Sequence, residues 1–184
     1  PVDAIDGEPR RRAKAINFGI VYGISPFGLA RQLGIGQRDA KAYIETYFEQ
    51  YPGIRAYMED TKAFCREHGY VETIFGRRCH LEGINDKNGA KRAFNERAAI
   101  NAPLQGAAAD VIKRAMIRVP GALDKANLKA TMMLQVHDEL LFEVPEAEVE
   151  QTTKVVKQVM ESAAHLSVPL IVDCGVGDNW GEAH

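Results

Sequence analysis

Two short apolar runs in the second half of the chain constrain the fold most. Residues 132–136 and 140–144 are rich in aliphatic side chains, and only His137, Asp138 and Glu139 separate them. Such a short connection can join antiparallel strands only, because parallel strands need a crossover of a dozen or more residues. The sequence therefore predicts a β-hairpin with three polar residues at its tip.

Most of the remaining chain has helical periodicity, so the predicted class is α+β, with helices in front and a small antiparallel sheet behind. Pro103 is expected to break or kink the longest helix near Asn101. Residues around Phe75-Gly76 are expected to form another hairpin. The predicted helices are 9–22, 26–33 with Ser25 as N-cap, 37–51, 54–68, 88–118 and 147–164, and the predicted strands are 70–74, 78–81, 132–136, 140–144 and 170–176.

Composition excludes several classes of protein. The chain has 184 residues, of which 46% are apolar and 26% charged, a balance typical of globular proteins rather than disordered ones. No apolar run reaches 18 residues, so we expect no membrane span, and the opening segment PVDAIDGEPRRR lacks the hydrophobic stretch of a secretion signal. Three scattered cysteines without a CxxC pair favour a reducing cytoplasm over a disulfide framework or a zinc site.

Charge is distributed unevenly along the chain. Residues 1–118 contain 19 Lys and Arg against 14 Asp and Glu, whereas residues 119–184 contain 4 against 11. The basic front favours an anionic partner such as nucleic acid, and the acidic back fits metal binding. An unevenly charged, solvated surface is the alternative.

The first predicted helix has a polar and aromatic stripe. Arg10, Lys14, Phe18 and Tyr22 stand four residues apart, so each is rotated by about 40° from the one before. Two cations followed by two rings suit a nucleoside triphosphate, because cations bind phosphates and rings pack on a sugar and a base. The alternative is that the rings are core and the basic residues are solvated. A separate apolar stripe, able to dock on a core, comprises Ala13, Ile16, Ile20 and Ile24.

The longest predicted helix has three hydrogen-bond donors, also four residues apart: Arg97, Asn101 and Gln105. Every base pair presents acceptors in the minor groove, so such donors can test the shape of a pair without reading its sequence. Helix capping and hydrogen bonds between helices are the alternative roles.

The acidic hairpin tip suggests chemistry on phosphates. A turn holds Asp138 outward, and carboxylate oxygens are preferred ligands of Mg²⁺. One carboxylate cannot build a two-metal site, however, and a plain polar turn is the alternative.

These patterns together resemble the family A DNA polymerases of bacterial type. The run RRRAKAINFGIVYG resembles the family's motif B, R-x3-K-x3-F-x3-YG, and VHDE at 136–139 resembles motif C. The segment ERAAINAPLQGAAADVIKRAM is similar to the one that follows the fingers in this family, and VPLIVDCGVGDNWGEAH to its closing strand and tail.

For the first helix, the resemblance implies a place in the mobile fingers, which close over a correct base pair. It implies that Arg10 and Lys14 hold the triphosphate of a dNTP, with Lys14 protonating the leaving pyrophosphate. Phe18 would then pack on the deoxyribose and Tyr22 would stack near the templating base.

For the rest of the chain, the resemblance implies contacts with primer–template DNA and a two-Mg²⁺ site. Asp138 would be a metal-binding catalytic aspartate, Glu139 an acidic helper, and His137 a contact to the primer end. His184 would lie near the active site. The DNA-contacting donors would be Arg97, Asn101 and Gln105.

The expected organisation is fingers over 1–69 and part of a palm over 70–184. The implied parent activity is DNA-directed DNA polymerisation, the transfer of deoxynucleotides from dNTP to a primer 3′-hydroxyl with release of pyrophosphate. Nothing in residues 1–9 matches the family's motif A, which carries the other catalytic aspartate, so the chain resembles only the last part of a polymerase domain. A catalytically incomplete nucleotide- or DNA-binding fragment is therefore one alternative, and a remnant that binds neither is another.

Overall fold

The structure is a computed structural model that describes residues 7–183, apart from the side chain of Glu8. It confirms the α+β class, since residues 7–183 form two small antiparallel sheets among many helices. The chain divides into two compact units, one ending at Gly106 and the other beginning at Ala107. The helices are α1 (Gly7–Val21), α2 (Pro26–Leu33), α3 (Gln37–Gln50), α4 (Pro52–His68), α5 (Gly89–Lys125), α6 (Val149–Glu161) and α7 (Trp180–Ala183), with a 3₁₀ turn at Glu146–Glu148, and the strands are β1 (Tyr70–Glu72), β2 (Arg78–His80), β3 (Thr131–Val136) and β4 (Glu139–Glu143).

Local signals define the ends of α2. The Ser25 hydroxyl accepts a hydrogen bond from the Gly28 backbone N–H at 3.1 Å, as an N-cap does. Gly34 ends the helix in the left-handed conformation, with φ 66°, and its N–H donates to the Ala30 carbonyl oxygen. The predicted bounds of this helix are confirmed.

The described part of the first unit has two apolar clusters. In one of them, the apolar stripe of α1 reaches the α2–α3 pair, where Ile16 and Ile24 pack against the buried cluster of Leu29, Ala30 and Ala40. Ile20, on the same stripe, is buried, whereas Ala13 is exposed. The stripe therefore docks α1 on a core, as predicted, except at its first member.

The second cluster joins α4, the first hairpin and α5. It consists of Cys65, Val71, Ile84 and Ala99, all buried. The predicted first hairpin is confirmed in shorter form, with Val71 opposite Cys79 in an antiparallel pair. This arrangement places the hairpin against α5.

The second unit packs α6 against the end of α5 and the β3–β4 hairpin. Val119 and Leu123 of α5, Leu128 of the following loop and Val156 of α6 form its buried cluster, on which Phe142 of β4 packs. This cluster supports the hairpin that carries the acidic residues.

The expected break at Pro103 is wrong, because α5 continues through it to Lys125. The alternative, a kink near Asn101, stays a prediction. Proline removes one backbone donor, but contacts from other elements bind the helix on both sides of it. The Tyr57 hydroxyl donates to the Ile100 carbonyl oxygen at 2.8 Å, and the Arg77 guanidinium donates to that of Gly106 at 3.0 Å. These contacts anchor α5 across the proline.

The predicted last strand, 170–176, is not present as a strand in the part of the chain that the structure describes. Its composition favours extended backbone, but a strand also needs a hydrogen-bonded neighbour. Ile171 and Val176 are exposed there instead. The helix predicted over 147–164 is shorter, since a 3₁₀ turn precedes it and it ends at Glu161.

Candidate nucleotide-binding and catalytic residues

The polar and aromatic stripe of α1 lies on the surface of the first unit. Arg10 and Lys14 are exposed, and Phe18 and Tyr22 keep 45% and 38% of their surface accessible. The two rings stack with centroids 6.1 Å apart, and the Lys14 ammonium lies 5.8 Å from the centroid of Phe18. The rings are thus not core residues, and they continue the cationic row.

A hydrogen bond links α3 to α1 next to the stripe. The Tyr47 hydroxyl donates to the Asn17 side-chain oxygen at 2.8 Å, one residue before Phe18. Desolvation on partial burial is the main cause that raises the pKa of Tyr47 above its ordinary value, and the neighbouring Tyr51 adds to the shift. Sequence reasoning missed Tyr47, since no local pattern links it to α1.

The end of the stripe meets α5. Gly23 has φ 76°, and a Cβ atom placed on it would lie 3.4 Å from Ile100 Cδ1 and 3.5 Å from Arg97 Cγ. The Asn101 amide nitrogen lies 3.5 Å from the Tyr22 carbonyl oxygen. The structure therefore brings Tyr22, Arg97 and Asn101 together within the first unit.

The three donors of α5 differ in exposure and in hydrogen bonding. The Oδ1 atom of Asn101 is buried with no hydrogen-bond partner among the described residues. Arg97 and Gln105 are exposed, and neither donates a hydrogen bond to another residue in 7–183. Their donor groups are available to a ligand, whereas the amide of Asn101 faces the end of α1.

The acidic hairpin lies in the second unit and has a tighter tip than predicted. Its turn is His137-Asp138 alone, because Glu139 pairs with Val136 as the first residue of β4. His137 has φ 54°, and its carbonyl oxygen accepts a hydrogen bond from the Gln135 amide at 2.9 Å. Asp138 is exposed and Glu139 half-buried, so the turn directs one carboxylate to solvent.

The donor chemistry of this turn fits a share of a magnesium site. An exposed carboxylate at a fixed turn is a suitable ligand for a hard cation. Over residues 7–183, however, the structure contains no cluster of three His, Cys, Asp or Glu side chains that could hold a metal ion. Asp138 can supply one ligand of such a site. His184, expected near the active site, lies outside the described residues.

Comparison with known proteins relates this chain to DNA polymerases. The profile of "DNA polymerase family A" matches residues 1–182, so the chain belongs to this family. It is 54% identical over 184 residues to DNA polymerase I of Pseudomonas aeruginosa, and 57% identical over 190 residues to that of Rhizobium leguminosarum. Both matches cover 100% of this chain but only 20% and 19% of the relatives.

A solved structure agrees with this assignment. The chain matches the POL domain of Pol1 from M. smegmatis, in complex with DNA primer–template and dNTP, with a TM-score of 0.95 and 45% identity. The match covers 100% of this chain and 32% of that one. The chain thus spans about a fifth of its curated relatives and about a third of this structural relative. No helix in the described residues has the length and apolarity to cross a membrane.

Proposed function

We propose that this chain is the fingers and part of the palm of a DNA-directed DNA polymerase, a nucleotidyltransferase that adds deoxynucleotides from dNTP to a primer 3′-hydroxyl and releases pyrophosphate. The observation that carries the proposal is the exposed row of Lys14, Phe18 and Tyr22. A cation followed directly by two stacked rings suits a nucleotide, because the cation binds phosphate and the rings pack on the sugar and the base. Membership of the family supports it, as does a structural relative in complex with both primer–template and dNTP. The division into fingers at 1–69 and palm at 70–184 is part of the proposal.

In this proposal, α1 binds the incoming nucleotide. Arg10 and Lys14 bind the triphosphate, and Lys14 gives a proton to the leaving pyrophosphate, which stabilises its developing charge. Phe18 packs on the deoxyribose and Tyr22 stacks near the templating base. Both rings offer enough exposed surface for such contacts.

The three donors of α5 bind the minor groove of the primer–template. Arg97 and Gln105 have exposed donor groups, and Asn101 lies between them at the end of α1. Their acceptors, purine N3 and pyrimidine O2, occur in every pair, so the contacts test geometry without selecting a sequence.

Asp138 is the catalytic carboxylate of the second unit and would hold Mg²⁺, with Glu139 beside it and His137 against the primer end. When bound, two Mg²⁺ ions stabilise the charge on the attacking and leaving oxygens of phosphoryl transfer. The remaining ligands come from the upstream part of the polymerase domain. A cytoplasmic location, where dNTP and DNA occur together in bacteria, belongs to the same proposal.

A catalytically incomplete fragment that binds nucleotide or DNA is the second candidate for this chain by itself. The described residues offer one metal-binding turn rather than a complete metal site, which favours this candidate for the isolated chain. Primer extension by the purified chain alone would contradict it. A remnant without binding function predicts no saturable fluorescence change with dNTP or primer–template.

The proposal is tested by Asp138→Ala in the full-length protein that contains this chain. We expect primer extension to fall below detection while affinity for primer–template stays near the unmodified value. Asp124→Ala is the matched control, because Asp124 is also an exposed aspartate of the second unit. Near-normal extension by the Asp138 variant would remove this residue from the catalytic site.

A further inference from the structure

The turn of the first hairpin, residues 73–77, contacts α5 at Gly106. A Cβ atom placed on Gly106 would lie only 2.7 Å from Thr73 Cγ2 and 3.1 Å from Arg77 Nη2. Arg77 also donates a hydrogen bond from Nη2 to the Gly106 carbonyl oxygen at 3.0 Å. The turn thus meets the helix through a close steric contact and a hydrogen bond at one residue.

The turn is well held in its own conformation. Thr73 is 7% exposed, and its hydroxyl oxygen lies 3.3 Å from each of the backbone N–H donors of Phe75 and Arg77. The Thr73 N–H donates to the Arg77 carbonyl oxygen at 3.0 Å, and the Gly76 N–H donates to that of Thr73 at 2.9 Å. Four hydrogen bonds within five residues make the turn rigid, so it can limit movement of α5.

Gly106 directly follows Gln105, whose exposed side chain makes no hydrogen bond to another described residue. A helix shifted along or about its axis by a fraction of an ångström would move this amide away from an acceptor whose place is fixed by a duplex. We propose that Thr73 and Arg77 are positioning residues, which hold α5 through Gly106 so that Gln105 donates to a minor-groove acceptor. This rests on the proposed role of Gln105.

The contact suggests a compensating pair of substitutions. Gly106→Ala adds a methyl group where the Thr73 methyl already lies, so the turn and the helix must move apart. Thr73→Ser removes that methyl and keeps the hydroxyl that closes the turn. Arg77 can adapt because only the far end of its side chain is near. The pair Thr73→Ser with Gly106→Ala should therefore restore the position of the helix.

The test uses the full-length protein and duplexes in which guanine is replaced by 3-deazaguanine, which lacks the N3 acceptor, at one position at a time. For the unmodified protein, we expect kcat/KM for primer extension to fall about fivefold at one position, the factor for one neutral hydrogen bond. Gln105→Ala should abolish that discrimination and so identify the position. Gly121→Ala is the matched control, because it is also a glycine of α5 and a Cβ there meets nothing within 4 Å.

The guanine preference is the ratio of kcat/KM with guanine to kcat/KM with 3-deazaguanine at that position. We expect Gly106→Ala to reduce this preference to near one and the pair with Thr73→Ser to restore it. Gly121→Ala should leave it unchanged. Arg77→Ala adds no clash and should also lower the preference. This variant provides the test if the Gly106→Ala protein does not fold. A preference that survives in both Gly106→Ala and Arg77→Ala would overturn the positioning role alone. No preference at any position in the unmodified protein would instead overturn the minor-groove role of Gln105, and the positioning role with it.

Discussion

The side-chain amide nitrogen of Asn101 lies 3.5 Å from the backbone carbonyl oxygen of Tyr22. This contact joins the end of α1, which carries the aromatic pair, to the helix that carries the three donors. Asn101 Oδ1 is buried without a partner, so its amide is only half satisfied within the described residues. Within the described residues Asn101 thus makes one long hydrogen bond, and in the proposed function its side chain also binds the minor groove.

Asn101→Ala should therefore change binding more than stability. We expect the free energy of unfolding to fall by no more than about 1 kcal/mol, since one long hydrogen bond is lost and an unpaired buried oxygen is removed with it. Affinity for primer–template in the full-length protein should fall by about fivefold or more. Asn95→Ala is the control, because its amide bonds only within α5, to the Lys91 carbonyl oxygen. An equal loss of affinity in both variants would contradict a specific role for Asn101.

Phe18→Tyr tests the packing of this ring on the sugar. In the proposed packing of Phe18 on the deoxyribose, the added hydroxyl group offers a polar partner beside a sugar that lacks its 3′-hydroxyl. By analogy with the family, we expect the ratio of dideoxynucleotide to deoxynucleotide incorporation to rise about tenfold, equivalent to about 1.4 kcal/mol. Competitive primer extension measures this ratio. Phe27→Tyr is the control, since Phe27 is also an exposed ring of the first unit, at 59%. An unchanged ratio in the Phe18 variant would count against contact with the sugar.

Tyr57→Phe should weaken the anchoring of α5 and alter its response to alkaline pH. Burial raises the pKa of Tyr57 above 10.0, against an opposing hydrogen bond from Thr61, and its hydroxyl donates to the Ile100 carbonyl oxygen. Loss of this hydrogen bond should cost about 1 kcal/mol at neutral pH, measured by hydrogen exchange at the amides around Ile100.

The pH dependence follows from the direction of that shift. The folded state keeps Tyr57 protonated more firmly than the unfolded state, so its contribution is complete below pH 10.0 and is lost as pH rises through the higher folded pKa. The Phe variant should lack this part of the alkaline loss. Tyr43→Phe serves as control, because Tyr43 is 51% exposed. The same alkaline loss in the Tyr57 variant and the unmodified protein would assign it to other groups.

Ser25→Ala should destabilise the first turn of α2 by about 1 kcal/mol, the usual effect of losing an N-cap. The Gly28 N–H would lose its side-chain acceptor, so its hydrogen exchange should become faster by about fivefold. Ser25→Asp keeps an acceptor oxygen and should keep the protection. Equal exchange rates in the Ala variant and the unmodified protein would show that the cap contributes nothing.

Sequence patterns predicted what depends on near neighbours. The stripe from Lys14 to Tyr22 and the ends of α2 follow from helical periodicity and capping, and both are present. The hairpin at Asp138 follows from two apolar runs, although its tip is one residue shorter than predicted because Glu139 pairs with Val136.

What the sequence did not predict depends on partners far along the chain. Pro103 does not break α5, since Tyr57 and Arg77 bind the helix on either side of it. The segment 170–176 has the composition of a strand, but composition does not supply a neighbouring strand. The packing of Thr73 on Gly106 has no local signal either, beyond a glycine inside a helix.

The left-handed backbone of His137 has a consequence for mutational scanning of this hairpin. At φ 54°, glycine, asparagine and aspartate are tolerated well, and β-branched residues are strongly disfavoured, whatever the side chain contacts. A saturation library at this position would therefore report backbone tolerance and ligand recognition in one score. Asparagine, which accepts this conformation without an imidazole ring, is the substitution that separates the two.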